Sequence, residues 1–327
     1  MRVRASSAIA LLLTLAGCAT SARDPMQSRG TAVKTTELKF HYAGPNLPLI
    51  LVPTNVNGQG PFDFILDTGN AAGVPFLLSQ RVAHKLAVNT AETPVPGTFA
   101  VGGGQAKVFL GQVQSVSLGA FTFGTSPVGV TEILDNLSER VKANLDGNIG
   151  YSFLKDFRLT IDYPRSVLKL DGTGEARSAR AGEAKPVAFQ LGAKKPLIIV
   201  SVLVNGRGPY PFALDTGAAG SAISPVQAKE LGLADRGRLS VMGGAGVISG
   251  FITSIDSLQI GETTMTDLKV AVADFFAPLS EAVGQPVAGV IGHNVLSQFE
   301  VVIDYPAQTI QFNRAAGRSD VTTSGHG

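Results

Sequence analysis

Two Asp-Thr-Gly tripeptides, Asp67–Gly69 and Asp215–Gly217, contain the residues in this sequence that are best suited to chemistry. Each tripeptide ends an apolar run, which is Phe62–Leu66 in the first case and Phe212–Leu214 in the second. Two carboxyls held within about 3 Å cannot both ionise, so they share one proton and titrate as a coupled pair. One carboxyl can then take a proton from water while the other gives a proton to a carbonyl oxygen. The sequence does not show which of the two holds the proton.

The tripeptides belong to a duplication that extends along most of the chain. The segment Val56–Gly69 returns as Val204–Gly217. Six features recur in one order: an entering strand, an Asn-Gly turn, a short Ser-capped helix, a Gly-rich hairpin, an Ile-Gly pair and an Asp-Tyr-Pro end. They occupy 49–52 and 198–201, 57–58 and 205–206, 79–86 and 224–231, 101–104 and 242–246, 147–150 and 289–292, and 157–164 and 299–306. Helices are also predicted near 131–143 and 273–283. The sequence thus predicts a mainly all-β protein with two homologous lobes.

The boundaries of these lobes follow from changes in composition along the chain. We expect a signal peptide at 1–17, a tether at 18–36, the first lobe at 37–171, a linker at 172–185, the second lobe at 186–314 and a disordered tail at 315–327. The linker is rich in Gly, Ala and Arg, and the tail is polar.

The N-terminal segment has the pattern of an export signal. Arg2 and Arg4 precede an apolar stretch at 8–15 that is too short to span a bilayer permanently. The following Leu-Ala-Gly-Cys resembles the bacterial lipobox, which implies cleavage before Cys18, lipidation of its thiol and attachment to the membrane through that lipid. Ala19 then implies a periplasm-facing, outer-membrane address in the cell envelope. The alternative is an ordinary secretory signal in which Cys18, the single cysteine, is incidental.

The bulk composition argues against several classes of function. The net charge is +2 and the basic residues are scattered, so no nucleic-acid partner is expected. The four histidines lie far apart in the sequence, so no metal site is expected. No organic cofactor is implied either. Apolar residues make up 44% of the chain, which is enough to bury a large core.

The two Asp-Thr-Gly tripeptides, the Gly-rich hairpins and the later Ile-Gly pairs resemble the retropepsin-like aspartic peptidases, in a bacterial form duplicated within a single chain. The resemblance covers about 47–171 and 196–313. It implies two retropepsin-like lobes that form an intramolecular pseudo-dimer with one cleft. It also implies an aspartic endopeptidase that hydrolyses polypeptide with a water held between two Asp carboxyls. The residues it implicates are the catalytic Asp67 and Asp215, the supporting Thr68, Gly69, Thr216 and Gly217, and the candidate flap residues Gly102, Gly103, Gly104, Gly243 and Gly244.

Two residues of the first lobe depart from the family pattern. Asn70 stands where Ala or Ser is usual, and Asn148 stands where an apolar residue is usual. The Asn70 amide could hydrogen-bond the carboxyl pair and change its pKa, or it could obstruct the pair. A catalytically weak or inactive envelope lipoprotein that binds peptides therefore stays as an alternative function. A monomer is expected, and the alternative is that each lobe pairs with a second chain.

Overall fold

A computed structural model describes residues 9–11, 14–15, 35–44, 47–95, 99–100, 104–105, 107–172, 183–243 and 246–314. The N-terminal segment and the first lobe contain β1 (Ile9–Leu11), β2 (Thr14–Leu15), β3 (Thr35–Lys39), β4 (His41–Gly44), β5 (Leu47–Val56), β6 (Gln59–Leu66), β7 (Phe76–Ser79), α1 (Gln80–Lys85), β8 (Phe99–Ala100), β9 (Gly104–Gln105), β10 (Phe109–Val113), β11 (Val116–Leu118), β12 (Phe121–Phe123), β13 (Ser126–Thr131), α2 (Ile133–Val141), β14 (Gly147–Ile149), α3 (Tyr151–Leu154), β15 (Arg158–Asp162) and β16 (Val167–Asp171). The second lobe contains β17 (Val187–Ala188), β18 (Gln190–Leu191), β19 (Ile198–Val204), β20 (Arg207–Leu214), β21 (Ala222–Ile223), α4 (Pro225–Glu230), β22 (Arg238–Gly243), β23 (Gly246–Ile260), β24 (Thr263–Ala273), α5 (Phe276–Val283), β25 (Gly289–Ile291), α6 (His293–Leu296), β26 (Phe299–Asp304) and β27 (Thr309–Arg314).

Each lobe is built on its own sheet, and the two sheets share a topology. The first has the order β10-β13-β7-β14-β6-β5-β11-β12, with β4 also paired to β5. The second has the order β1-β22-β23-β24-β21-β25-β20-β19-β18. In both lobes the short strand that carries the Ile-Gly pair lies between two others, parallel to the strand before Asp-Thr-Gly and antiparallel to its other neighbour. The predicted all-β class with two homologous lobes is confirmed.

A third sheet joins the two lobes, with the order β17-β27-β26-β15-β16-β3. At its centre β15 of the first lobe pairs antiparallel with β26 of the second, and Ile161 lies opposite Val301. Both side chains are fully buried, as are Leu159 and Ile303 in the same two strands. Burying an aliphatic side chain contributes about 1.5–3 kcal/mol, so this sheet stabilises the lobes as one unit.

The local signals read from the sequence produce the expected turns and helix starts. Asn57 and Asn205 have positive φ angles of 52° and 51° and are followed by glycines at 72°, the conformation that an Asn-Gly hairpin requires. The Ser79 side chain accepts a hydrogen bond from Val82 N, and its counterpart Ser224 accepts one from Gln227 N. Both predicted N-caps are confirmed.

The two further predicted helices, near 131–143 and 273–283, are α2 and α5. Leu134 and Leu137 of α2 are buried. In the second lobe, Phe275, Phe276 and Leu279 are all buried as well. The apolar residues of α5 therefore pack into the lobe core.

Several predicted features lie outside the described residues. These are Cys18, most of the expected signal peptide and tether, linker residues 173–182 and the tail at 315–327. The signal peptide, the lipid anchor and the envelope location stay predictions. The last two tether residues, Thr35 and Thr36, belong to β3. Within the described ranges, no helix has the length and apolar character needed to cross a membrane.

Candidate active site

Asp67 and Asp215 directly follow β6 and β20, and each is held against the inserted Ile-Gly strand of its own lobe. The backbone N–H of Asp67 donates to Ile149 O at 3.1 Å, and that of Asp215 donates to Ile291 O at 3.0 Å. Each carboxylate also accepts a bond from the glycine two residues later, at 2.9 Å from Gly69 N and 2.8 Å from Gly217 N. The duplicated sequence therefore gives the two loops the same local structure.

Thr68 and Thr216 connect these two loops across the lobe boundary. The backbone N–H of each threonine donates to the Oγ1 of the other at 3.0 Å. The Thr68 hydroxyl donates to Leu214 O at 3.0 Å, and the Thr216 hydroxyl donates to Leu66 O at 2.7 Å. The four bonds are buried and fix the distance between the loops. The resemblance implies a supporting role for both threonines, and these are the contacts through which they would provide it.

Replacing Thr68 by Val is expected to lower the free energy of unfolding by about 2–4 kcal/mol. Valine keeps the shape of the side chain but removes its donor and its acceptor, and each buried polar group left unpaired costs roughly 1–3 kcal/mol. Chemical denaturation of Thr68→Val, with Thr68→Ser as the hydroxyl-bearing control, measures this loss. Equal stability of the two variants would contradict a role for the cross-lobe bonds.

Gly69 and Gly217 are required by close approach between the loops. A Cβ on Gly69 would lie 2.6 Å from Cγ of Asp215, and a Cβ on Gly217 would lie 2.6 Å from Cγ of Asp67. Neither glycine has a positive φ angle. The absence of a side chain at each glycine therefore leaves room for the carboxyl of the opposite lobe.

The two carboxyl groups are fully buried and close enough for each to affect the pKa of the other. Burial raises the pKa of Asp67 to about 7, while hydrogen bonds from its neighbours act in the opposite direction. Burial and then the charge of Asp67 raise the pKa of Asp215 well above its usual value. Two such carboxyls share one proton near neutral pH, which can make them an acid and a base in one site.

Asn148 and Asn70 lie beside this pair, on the Asp67 side only. The Asn148 amide donates to Asp67 Oδ2 at 2.6 Å, and the Asn70 amide donates to Asn148 Oδ1 at 2.6 Å. Both residues depart from the pattern of the family that the sequence resembles. The structure shows that Asn148 contacts the carboxyl directly and that Asn70 acts through Asn148.

Two buried tyrosines, Tyr163 and Tyr305, lie near the carboxyls and were missed in the sequence analysis. Burial raises the pKa of each tyrosine well above 10, and the charge of Asp215 adds to this effect at both. The sequence does contain a signal for these two tyrosines, because each is the middle residue of the Asp-Tyr-Pro sequence that ends both copies of the repeat.

His293 lies edge-on to Tyr163, with ring centroids 5.6 Å apart. Burial lowers the pKa of His293 to about 4, so this ring is uncharged near neutral pH.

His84 is exposed on α1. Among the described residues, no group of three or more His, Cys, Asp or Glu side chains is placed to hold a metal ion.

A β-hairpin occupies each predicted flap position. In the first lobe β8 pairs with β9, so that Gly104 lies opposite Ala100, and in the second lobe β22 pairs with β23, so that Gly243 lies opposite Gly246. The other candidate flap residues, Gly102, Gly103 and Gly244, lie outside the described residues. The N-terminal segment pairs with both hairpins, through β1 parallel to β22 and β2 antiparallel to β8.

Comparison with known proteins gives one family match. The profile of the aspartyl protease family matches the chain twice, over residues 52–153 and 200–295. Each match contains one Asp-Thr-Gly tripeptide and the Ile-Gly pair of the same lobe. No curated protein matches the chain significantly.

Proposed function

The chain belongs to the aspartyl protease family, and we propose that it is an endopeptidase that hydrolyses extended polypeptide with a water activated between Asp67 and Asp215. The observation that carries the proposal is the juxtaposition of these two buried carboxyls, which the threonine hydrogen bonds hold together at the lobe boundary. Neither lobe supplies both carboxyls, so the site depends on the duplication.

The proposed reaction needs one ionised and one protonated carboxyl. The ionised carboxylate takes a proton from water as the water oxygen bonds to the scissile carbonyl carbon, and the protonated carboxyl gives its proton to the carbonyl oxygen. The resulting tetrahedral diol then loses its amine. The carboxyl that gained the water proton delivers it to the leaving nitrogen, the C–N bond breaks, and a diol hydroxyl returns its proton to the other carboxylate. No covalent bond forms between enzyme and substrate.

The two hairpins support an extended polypeptide as the substrate. Strands β22 and β8 both pair with short extended pieces of the N-terminal segment. Main-chain hydrogen bonds of this kind recognise a backbone regardless of its side chains. A substrate in the extended conformation would use the same edges.

A second candidate function is peptide binding without hydrolysis. The contact between Asn148 and Asp67 Oδ2, at 2.6 Å, favours it, because this amide uses one lone pair of the carboxylate that must accept a proton from water. Each carboxylate oxygen has two lone pairs, however, so water can still bond to Asp67. We therefore retain hydrolysis as the primary proposal.

Cleavage of a peptide library from about pH 3 to about pH 8, with and without a statine-type inhibitor, tests the proposal. Cleavage is expected to increase as the pH approaches about 7, because the pair must lose one proton to gain a base and burial raises the pKa of Asp67 to about 7. The statine hydroxyl mimics the tetrahedral diol and is expected to block cleavage. A folded protein that binds library peptides but cleaves none at any pH would support the peptide-binding alternative.

A further inference from the structure

We propose that Asn148, held in place by Asn70, is a positioning residue that leaves Asp67 as the ionised base and assigns the shared proton to Asp215. The catalytic meaning of this assignment rests on the proposed function, but the location of the proton does not. Three observations support it: the orientation of the amides, the unequal hydrogen bonding of the carboxyls and the difference between the lobes.

The orientation of both amides is fixed by a backbone group. The N–H of Ala72 donates to Asn70 Oδ1 at 2.9 Å, and a backbone N–H can only donate. The Asn70 nitrogen must therefore face Asn148 Oδ1, at 2.6 Å, and the Asn148 nitrogen must face Asp67 Oδ2, also at 2.6 Å. The side chains of Asn70, Asn148 and Asp67 are fully buried, so water does not compete for these bonds.

The two carboxyl groups receive unequal hydrogen bonding. Asp67 accepts at both oxygens, from Gly69 N and from Asn148. Asp215 accepts from Gly217 N at Oδ1, whereas its buried Oδ2 receives no bond from a protein donor. Donors stabilise the charged form of a carboxylate, and an oxygen without a donor is the site where a proton is best held.

The difference between the carboxyls comes from two substitutions between the repeats. The positions of Asn70 and Asn148 in the first lobe are occupied by Ala218 and Val290 in the second. Ala218 and Val290 are fully buried and carry no side-chain donor. The second lobe therefore has the same backbone around its aspartate but lacks the two hydrogen-bonded side-chain amides.

Other titratable groups around the pair do not account for the difference. The charges of both carboxyls act on Tyr305 and that of Asp215 acts on Tyr163, and burial keeps both phenols neutral by raising their pKa values well above 10. Burial lowers the pKa of His293, which packs on Tyr163, to about 4, so it carries no charge near neutral pH. Burial raises the pKa of both aspartates, and the bond from Asn148 is the largest effect that opposes it at Asp67.

A ¹³C NMR titration of the aspartate carboxyls in the folded protein tests the assignment without any activity measurement. The signals are assigned with Asp67→Asn and Asp215→Asn. Asp67 is expected to ionise first in the unsubstituted protein. In Asn70→Ala/Asn148→Val, which gives the first lobe the residue types found in the second, the first ionisation of the pair should shift upward by at least about one pH unit.

Two further variants separate positioning from a general loss of structure. Asn148→Leu keeps the shape of the side chain without its donor, and should show the same upward shift if the double variant does not fold. Val82→Ala removes buried core volume in α1 and should lower stability without changing the titration. An unchanged titration in a folded Asn148 variant, or Asp215 ionising first in the unsubstituted protein, would overturn the inference.

The same variants distinguish this inference from the proposed function. If the protein hydrolyses peptides, the acid limb of kcat/KM in Asn148→Leu should move by the same pH increment as the NMR titration. If no peptide is hydrolysed while Asp67 still ionises first, the proposed function fails and the proton assignment stands. If peptides are hydrolysed and neither the titration nor the acid limb moves, the assignment alone is wrong.

Discussion

Replacing either Asp67 or Asp215 by Asn is expected to reduce kcat/KM for peptide hydrolysis by at least about a thousandfold, because general acid–base groups contribute about 10²–10⁴ and here the two act as one unit. Asparagine fits the same space but neither takes a proton from water nor gives one to the carbonyl oxygen. The double variant should therefore be about as inactive as either single variant. The measurement is kcat/KM on the best peptide from the library.

The control for this experiment is Asp256→Asn, which makes the same chemical change on the exposed part of β23. Its activity should match that of the unsubstituted protein. The Asp67 and Asp215 variants must also be shown to be folded, since both side chains lie where the lobes meet. Appreciable activity in either folded single variant would refute the paired-carboxyl mechanism.

Asp215→Asn is also expected to make the protein more stable than the unsubstituted chain at pH 8 and to change stability little at pH 4. Folding raises the pKa of Asp215 well above 3.8, so the folded state binds a proton that the unfolded state has released. The stability that this carboxyl contributes is fully present below about pH 3.8 and is lost as the pH rises, at about 1.4 kcal/mol per pH unit. Asparagine avoids this loss.

Denaturant unfolding of the two proteins between about pH 4 and pH 8 measures the difference directly. Comparing variants is necessary because His293 acts in the opposite direction. Its folded-state pKa of about 4 lies below its ordinary value of 6.5, so its contribution is lost as the pH falls. The exposed Asp256→Asn should follow the unsubstituted protein at every pH. A stability difference for Asp215→Asn that does not change with pH would contradict a raised pKa.

The site residues that occur at the same position in both repeats were predictable from the sequence. Asp67 and Asp215 could be paired because each repeat carries the same tripeptide after the same apolar run, and a two-fold arrangement brings equal positions together. The turns at Asn57 and Asn205 depend on local backbone preferences that the sequence states directly. These predictions needed no knowledge of which strands pair.

The rest of the site depends on contacts between distant strands. Asn148 reaches Asp67 because β14 inserts between β6 and β7, and no local pattern specifies that insertion. Tyr163 and Tyr305 approach the carboxyls from the ends of β15 and β26, which pair across the lobe boundary. The role of Gly69 likewise depends on the opposite loop, since its own φ angle is ordinary. The sequence shows the residue types but not how strands that are distant in the chain pair with each other.

The joining of both lobes in one polypeptide has a consequence for how such a site can evolve. In an assembly of two identical subunits, every substitution appears twice, so the two carboxyls must keep identical surroundings in the sequence. Here a change near one aspartate leaves the other untouched, as the contrast between Asn148 and Val290 shows. Gene duplication followed by fusion thus allows natural selection to specialise the two halves separately, while the sheet centred on β15 and β26 keeps them in register.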